Sequence, residues 1–81
     1  MSARVRLPEE LSGLLRSELE RAIYESALDR EDDLIARRYL VEKIAQVDIA
    51  AEIGYERSTV SRRLPYIIDR VKHTAEKLKF T

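Results

Sequence analysis

The sequence of 81 residues contains no cysteine, no tryptophan, two glycines, two prolines and a single histidine. The absence of cysteine excludes a disulfide scaffold and a thiolate zinc site, and His73 alone cannot form a metal site. So little glycine and proline disfavours a β-sandwich, a β-barrel or a disordered tail. No apolar run approaches the ~18 residues of a membrane span, and the first residues do not form a secretory signal. We therefore expect a cytoplasmic protein without a membrane segment.

Hydrophobic residues make up 44% of the chain and charged residues 37%, which is typical of a small helical domain. At this length a single domain is the upper limit, and nearly every element must contribute to its core. The basic and acidic side chains cancel overall, but residues 1–42 carry a net charge of −3 and residues 43–81 carry +3. The segment 57–63 holds three arginines and no acid. A local basic face favours a polyanionic partner even when the total charge is zero.

Apolar residues at spacings of three and four predict an all-α fold. The first helix is predicted over about 8–28, because Pro8 suits a first helical position and an apolar stripe follows it. The predicted stripe consists of Leu11, Leu15, Leu19, Ala22 and Ile23. This helix needs a cover for its apolar face, either the rest of the domain or the same helix of a second copy.

A trihelical core is predicted over about 31–64. It begins after Asp29, a typical helix cap, and the acidic residues that follow Asp29 are typical of a first helical turn. Its helices are predicted over about 31–44, over about 46–53 and from near Arg57. A C-terminal helical extension follows over about 65–79. We expect a kink or a break at Pro65, because proline removes a backbone donor and disfavours helical geometry in the preceding residue.

The segment 46–64, QVDIAAEIGYERSTVSRRL, has the spacing of a helix-turn-helix unit. The small residue Ala50 stands where the two helices would touch, and Gly54 permits the positive φ of a sharp turn. Four apolar residues would fix both helices to the core, namely Ile49, Ile53, Val60 and Leu64. The second helix presents short polar and basic side chains at its N-terminal end. Such an end fits the major groove of duplex DNA.

Two families resemble this region. The residues shared with the helix-turn-helix of lactose-repressor-type regulators are Asp48, Ile49, Ala50, Glu52, Gly54, Thr59, Val60, Ser61, Arg62 and Leu64. Together with the helix before it, the region 31–64 also resembles the trihelical fourth conserved region of bacterial sigma factors, a unit that small phage and mobile-element regulators share. The resemblance implies a small bacterial or phage transcription regulator that binds double-stranded DNA.

By similarity to the repressor family, Arg57 and Ser58 would read bases, and Arg62 one turn later would read a base or a phosphate. Arginine suits bidentate contact with guanine, which is worth about 1–3 kcal/mol of discrimination. Short side chains let the helix approach the groove, and the predicted base-reading set is Arg57, Ser58, Ser61 and Arg62. The predicted phosphate contacts, which position the domain without reading sequence, are Lys43, Gln46, Tyr55, Thr59 and Arg63. Backbone amides near Gln46 are a further candidate for a phosphate.

Other interpretations stay open. The segment 46–64 is also compatible with two core helices joined by a glycine turn. The sigma-like unit contacts RNA polymerase in its family, so a second hypothesis is a polymerase-binding adaptor that acts through the acidic patch 29–33 and the first helix. A third is the DNA-targeting part of a transposase or recombinase system.

We favour a homodimer, which is common among helix-turn-helix proteins. We predict neither a cofactor nor an enzyme, because the pair Asp69 and His73 has no evident nucleophile or metal partner.

Overall fold

The computed structural model of the protein describes residues 7–80. Over this range the chain is helical and contains no strand, which confirms the predicted all-α fold. The five helices are α1 (Glu9–Ser12), α2 (Arg16–Glu25), α3 (Arg30–Ala36), α4 (Gln46–Ile53) and α5 (Arg57–Lys77). A π-helical turn (Arg37–Val41) continues α3.

The N-terminal helix predicted over 8–28 is two helices, α1 and α2, separated by residues 13–15. At this break Leu15 has an extended backbone, with φ −67° and ψ 156°. The Glu18 carboxylate accepts a hydrogen bond of 2.8 Å from the Leu15 N–H and so caps the start of α2. The prediction of one continuous helix is therefore wrong. Leu15, expected in the buried stripe, is 66% exposed.

The start of α3 agrees with the sequence-based prediction, but its end does not. The Asp29 side chain accepts a hydrogen bond of 3.0 Å from the Asp32 N–H, which confirms the predicted cap. The helix was predicted to reach about residue 44, but it widens into the π-helical turn and stops there. Lys43 then adopts a left-handed φ of 60°, and its Nζ donates 2.7 Å to the carbonyl of Leu40. This hydrogen bond satisfies a carbonyl at the end of the turn.

Helix α5 is the central element of the fold, because it contacts α1, α2, α3 and α4. It runs without interruption through Pro65, so of the kink or break expected at this residue the break is not observed. An interior proline costs a helix ~3 kcal/mol or more. Burial of apolar side chains on both sides of Pro65 offsets this cost, since each fully buried one contributes about 1.5–3 kcal/mol. The buried residues of α5 are Val60, Leu64, Ile67, Val71 and Ala75.

The hydrophobic core receives side chains from all five helices and from the π-helical turn. The residues buried outside α5 are Leu11, Leu19, Ala22, Ile23, Ile35, Ala36, Tyr39, Leu40, Ile49 and Ala50. Ser26, also buried, donates a hydrogen bond of 2.7 Å to the Ala22 carbonyl and lies 2.9 Å from the Thr74 hydroxyl. This contact joins the end of α2 to the last turns of α5. Within residues 7–80, each helix is too short or too polar to cross a membrane.

Candidate nucleic-acid interface

The turn between α4 and α5 has the geometry that the sequence predicts. Gly54 ends α4 in the left-handed conformation, with φ 79° and ψ 24°. The backbone N–H groups of Gly54 and Tyr55 both donate to the carbonyl of Ala50, which closes the last turn of α4. Ala50 is buried, at 2% exposure, and α4 and α5 are in contact. Three residues, 54–56, therefore join the two helices.

The N-terminal end of α5 exposes all four predicted base-reading residues. We call Arg57, Ser58, Ser61 and Arg62 the front face of α5, and each of them is solvent-exposed. Behind this face Val60 is fully buried, so the orientation of the first two turns is fixed by the core. Within residues 7–80, the ion pairs and side-chain hydrogen bonds do not include Arg57 or Arg62. Both guanidinium groups are therefore available to a ligand.

A hydrogen bond connects the front face to the start of α4. The Ser61 hydroxyl donates 2.6 Å to Oε1 of Gln46, which is half-buried. The amide nitrogen of Gln46 keeps its two donors, and the Ser61 oxygen keeps acceptor capacity. Since the Ser61 proton is used within the protein, Ser61 is better suited to accept from a base than to donate to one. Gln46 keeps the donor chemistry that a phosphate contact needs.

The first turns of α4 and α5 have backbone amides without side-chain caps. Ala45 precedes α4 and Glu56 precedes α5, and neither side chain bonds to an amide of its helix. Uncapped amides at the positive end of a helix suit anions such as phosphate. Lys43 lies just before α4 and is exposed, with one ammonium donor used by Leu40 and the other two available. Thr59, in the first turn of α5, is half-buried.

The two remaining predicted phosphate ligands, Tyr55 and Arg63, lie in a cluster that the sequence did not predict. The carboxylate of Glu31 accepts 2.6 Å from the Tyr55 hydroxyl and 3.0 Å from Nη1 of Arg63. Asp32 lies 3.4 Å from the same Nη1. The Arg63 guanidinium also lies over the Tyr55 ring, 5.4 Å from its centroid. We call these four residues the Glu31 cluster. It fixes the first turn of α3 against the α4–α5 turn.

The hydrogen bonds of the Glu31 cluster shift its pKa values in a consistent way. The bond from Tyr55, with the bond from Arg63, lowers the pKa of Glu31, and the bond to Glu31 raises the pKa of the Tyr55 phenol. Desolvation raises the pKa of Asp32, whose side chain is 13% exposed, and the charge of Asp29 adds to this rise. At neutral pH Glu31 is therefore anionic and Tyr55 is protonated, which are the states that the two hydrogen bonds require.

Other acidic residues of α3 and α4 are paired with the arginines around the π-helical turn. Arg37 donates 2.7 Å to Asp33, one turn earlier. Arg38 binds Glu52 of α4 through Nε and Nη2, at 3.0 Å each, and Glu42 through Nη1. Arg38 therefore ties α4 to the π-helical turn. This ion pair supplements the packing of the buried residues Ile49 and Ala50, which hold α4 in the core.

The described part of the chain, residues 7–80, contains no group of three or more His, Asp or Glu side chains placed to hold a metal ion. His73 lies 3.5 Å from Asp69 on the surface of α5, and both side chains are more than 60% exposed. No known protein family, curated protein or solved structure matches the chain.

Proposed function

We propose that the protein is a sequence-specific transcription regulator that binds duplex DNA with the N-terminal end of α5 in the major groove. The observation that carries this proposal is the front face of α5, where Arg57 and Arg62 are exposed and have no ion-pair partner within residues 7–80. Solvent-exposed arginines that are not neutralised by a neighbour are suited to bidentate contact with guanine. We infer a cytoplasmic regulator of bacterial or phage type.

The front face would be held against the bases by phosphate contacts on the α4 side. Lys43, Gln46 and the uncapped amides at the start of α4 supply donors there. Ser58 and Ser61 are short enough to let α5 approach the base edges, and the half-buried Thr59 would contact a phosphate. The Tyr55 hydroxyl and Nη1 of Arg63 bind Glu31 in the free protein, so phosphate contacts of these two groups would compete with this acid.

The proposal is tested by fluorescence anisotropy with labelled duplex DNA. A selection of bound sites from random duplexes first defines the preferred sequence, and a palindromic result would support the homodimer that we favour. Binding is then measured between 50 and 200 mM salt, over which the affinity of a phosphate-dependent complex falls steeply. Absence of binding to any duplex at the lowest salt would contradict the proposal.

Substitutions in the front face separate base reading from general electrostatics. We expect Arg57→Ala and Arg62→Ala each to weaken binding to the selected site about 5- to 150-fold, from the ~1–3 kcal/mol of one base contact. The matched control is Arg16→Ala, which removes an exposed arginine from α2, where it pairs with Glu20. An equal loss from Arg16→Ala would mean that only net charge matters and that the front face does not read bases.

The alternative hypotheses receive less support. The polymerase-binding adaptor would act through the acidic patch 29–33, but Asp29 caps α3, Asp33 pairs with Arg37, and Glu31 and Asp32 bind Arg63. Retention of polymerase by the double variant Arg57→Ala/Arg62→Ala would nevertheless favour that adaptor. A role in targeting a transposase or recombinase uses the same front face, and the identity of the selected site distinguishes it from transcription control.

A further inference from the structure

The Glu31 cluster lies at the edge of the front face of α5. Arg63 directly follows Arg62, and Tyr55 lies in the turn that leads into Arg57. Both side chains are partly exposed, Tyr55 at 38% and the Arg63 side chain at 36%. A phosphate backbone that flanks a helix in the major groove passes close to residues at such an edge.

The groups that donate hydrogen bonds to Glu31 are of the kind that bind phosphate. A guanidinium and a phenol hydroxyl are both common donors to phosphate oxygens. Here one carboxylate oxygen of Glu31 accepts from Arg63 and the other from Tyr55, at 3.0 and 2.6 Å. The carboxylate therefore occupies the position of an anionic ligand, and Asp32, 3.4 Å from the same guanidinium, adds a second negative charge. An incoming phosphate would compete with Glu31 for Nη1 of Arg63 and for the Tyr55 hydroxyl, and it would approach the charge of Asp32.

We propose that Glu31 is a positioning residue that weakens the sequence-independent part of DNA binding, because it competes with phosphates for Arg63 and Tyr55. The inference rests on the proposed DNA-binding function and deepens it. Non-specific affinity depends on the number of phosphates neutralised, whereas discrimination depends on base contacts. Glu31 occupies donors that would otherwise bind phosphates. It leaves the charges of Arg57 and Arg62, the base-reading arginines, without an acidic partner in the described residues 7–80.

The competition is reversible, because the cluster is accessible to solvent. The Glu31 side chain is 45% exposed, and exposed ion pairs contribute little to stability. We therefore expect a moderate effect. Glu31→Gln keeps the shape of the side chain and removes its charge. It should raise affinity for a random duplex roughly fivefold at 100 mM salt and steepen the slope of log K against log salt by about 0.9, the value for one additional phosphate.

A double-mutant cycle separates this mechanism from simple loss of a negative charge. Its four proteins are the wild type, Glu31→Gln, Arg63→Gln and the double variant, each checked for helicity and melting by circular dichroism. We expect Arg63→Gln alone to change random-duplex affinity less than twofold, and the double variant to lose most of the gain of Glu31→Gln. An equal gain from Glu31→Gln with and without Arg63 would overturn the proposal, as would no gain at all.

The matched control is Glu25→Gln, which releases Arg21 from the corresponding exposed pair on α2. It should leave the salt slope unchanged, and a slope change as large as that of Glu31→Gln would overturn the inference. The four proteins are also compared by the salt concentration that elutes them from heparin, a sulfated polyanion. If the wild type binds no duplex, the proposed function fails. The heparin comparison then still decides whether Glu31 restrains Arg63.

Discussion

Replacement of Gly54 by alanine tests the turn on which the whole interface depends. Gly54 has φ 79°, a conformation that costs an L-residue about 1–2 kcal/mol. A Cβ placed there would meet no atom within 4 Å, so no steric clash adds to this cost. Alanine also restricts the unfolded chain, which offsets about 0.4–1 kcal/mol. The net expectation is a loss of about 1 kcal/mol, or a Tm lower by about 4–8 °C in a domain of this size.

The other glycine of the chain provides an internal control for this calculation. Gly13 follows α1 with φ −93°, which alanine adopts without strain, and its Cβ would also meet nothing within 4 Å. Gly13→Ala should therefore stabilise the protein by about 0.4–1 kcal/mol. Gly54→Asn should lie between the wild type and Gly54→Ala, because asparagine tolerates the left-handed region. The assay is urea unfolding followed by circular dichroism. If the two alanine variants shift stability in the same direction, the conformational argument is refuted.

Further predictions concern the core, the proline and the acidic cluster. Pro65 is exposed within α5, so Pro65→Ala restores a backbone donor at little loss of contact and should raise stability by about 1–3 kcal/mol in urea titrations. Ile67 is fully buried, and Ile67→Ala should cost about 2–5 kcal/mol, a large part of the total stability of an 81-residue domain, measured in the same way. The raised pKa of Asp32 favours its protonated form in the folded state, so its stabilising contribution is present at low pH and is lost as the pH rises through that pKa. Asp32→Asn should consequently be more stable than the wild type at pH 7, and thermal melts should show that the difference closes towards pH 3.

The parts of the fold that follow from local sequence are the ones that could be predicted. The bounds of α4, the positive φ of Gly54 and the start of α5 at Arg57 all agree with the sequence analysis. Each depends on signals within a few residues, namely a small residue, a glycine and a regular apolar period. The exposure of the base-reading set follows from the same period, because Val60 and Leu64 point inward from the same two turns.

The parts that could not be predicted depend on contacts that are distant in sequence or that oppose local preference. The break before α2 needs Glu18 to cap the backbone of Leu15, and the continuity of α5 needs core burial on both sides of Pro65. In the Glu31 cluster, Glu31 binds Tyr55, which is 24 positions away in the sequence, and Arg63, which is 32 positions away. Nothing in the acidic run 29–33 indicates which arginine it will meet until α3 is placed beside α5.

The length of α5 gives the interface a mechanical property. Arg57 and Thr74 are about 25 Å apart along one helix, at a rise of 1.5 Å per residue. The distal end is attached to α2 where Thr74 bonds with Ser26 and where Arg70 donates to the Ser26 carbonyl. Between these two ends the core holds α5 at nearly every turn, through Val60, Leu64, Ile67, Val71 and Ala75. The helix is therefore a rigid rod, and the direction in which its tip presents Arg57 and Arg62 is set by packing along its whole length.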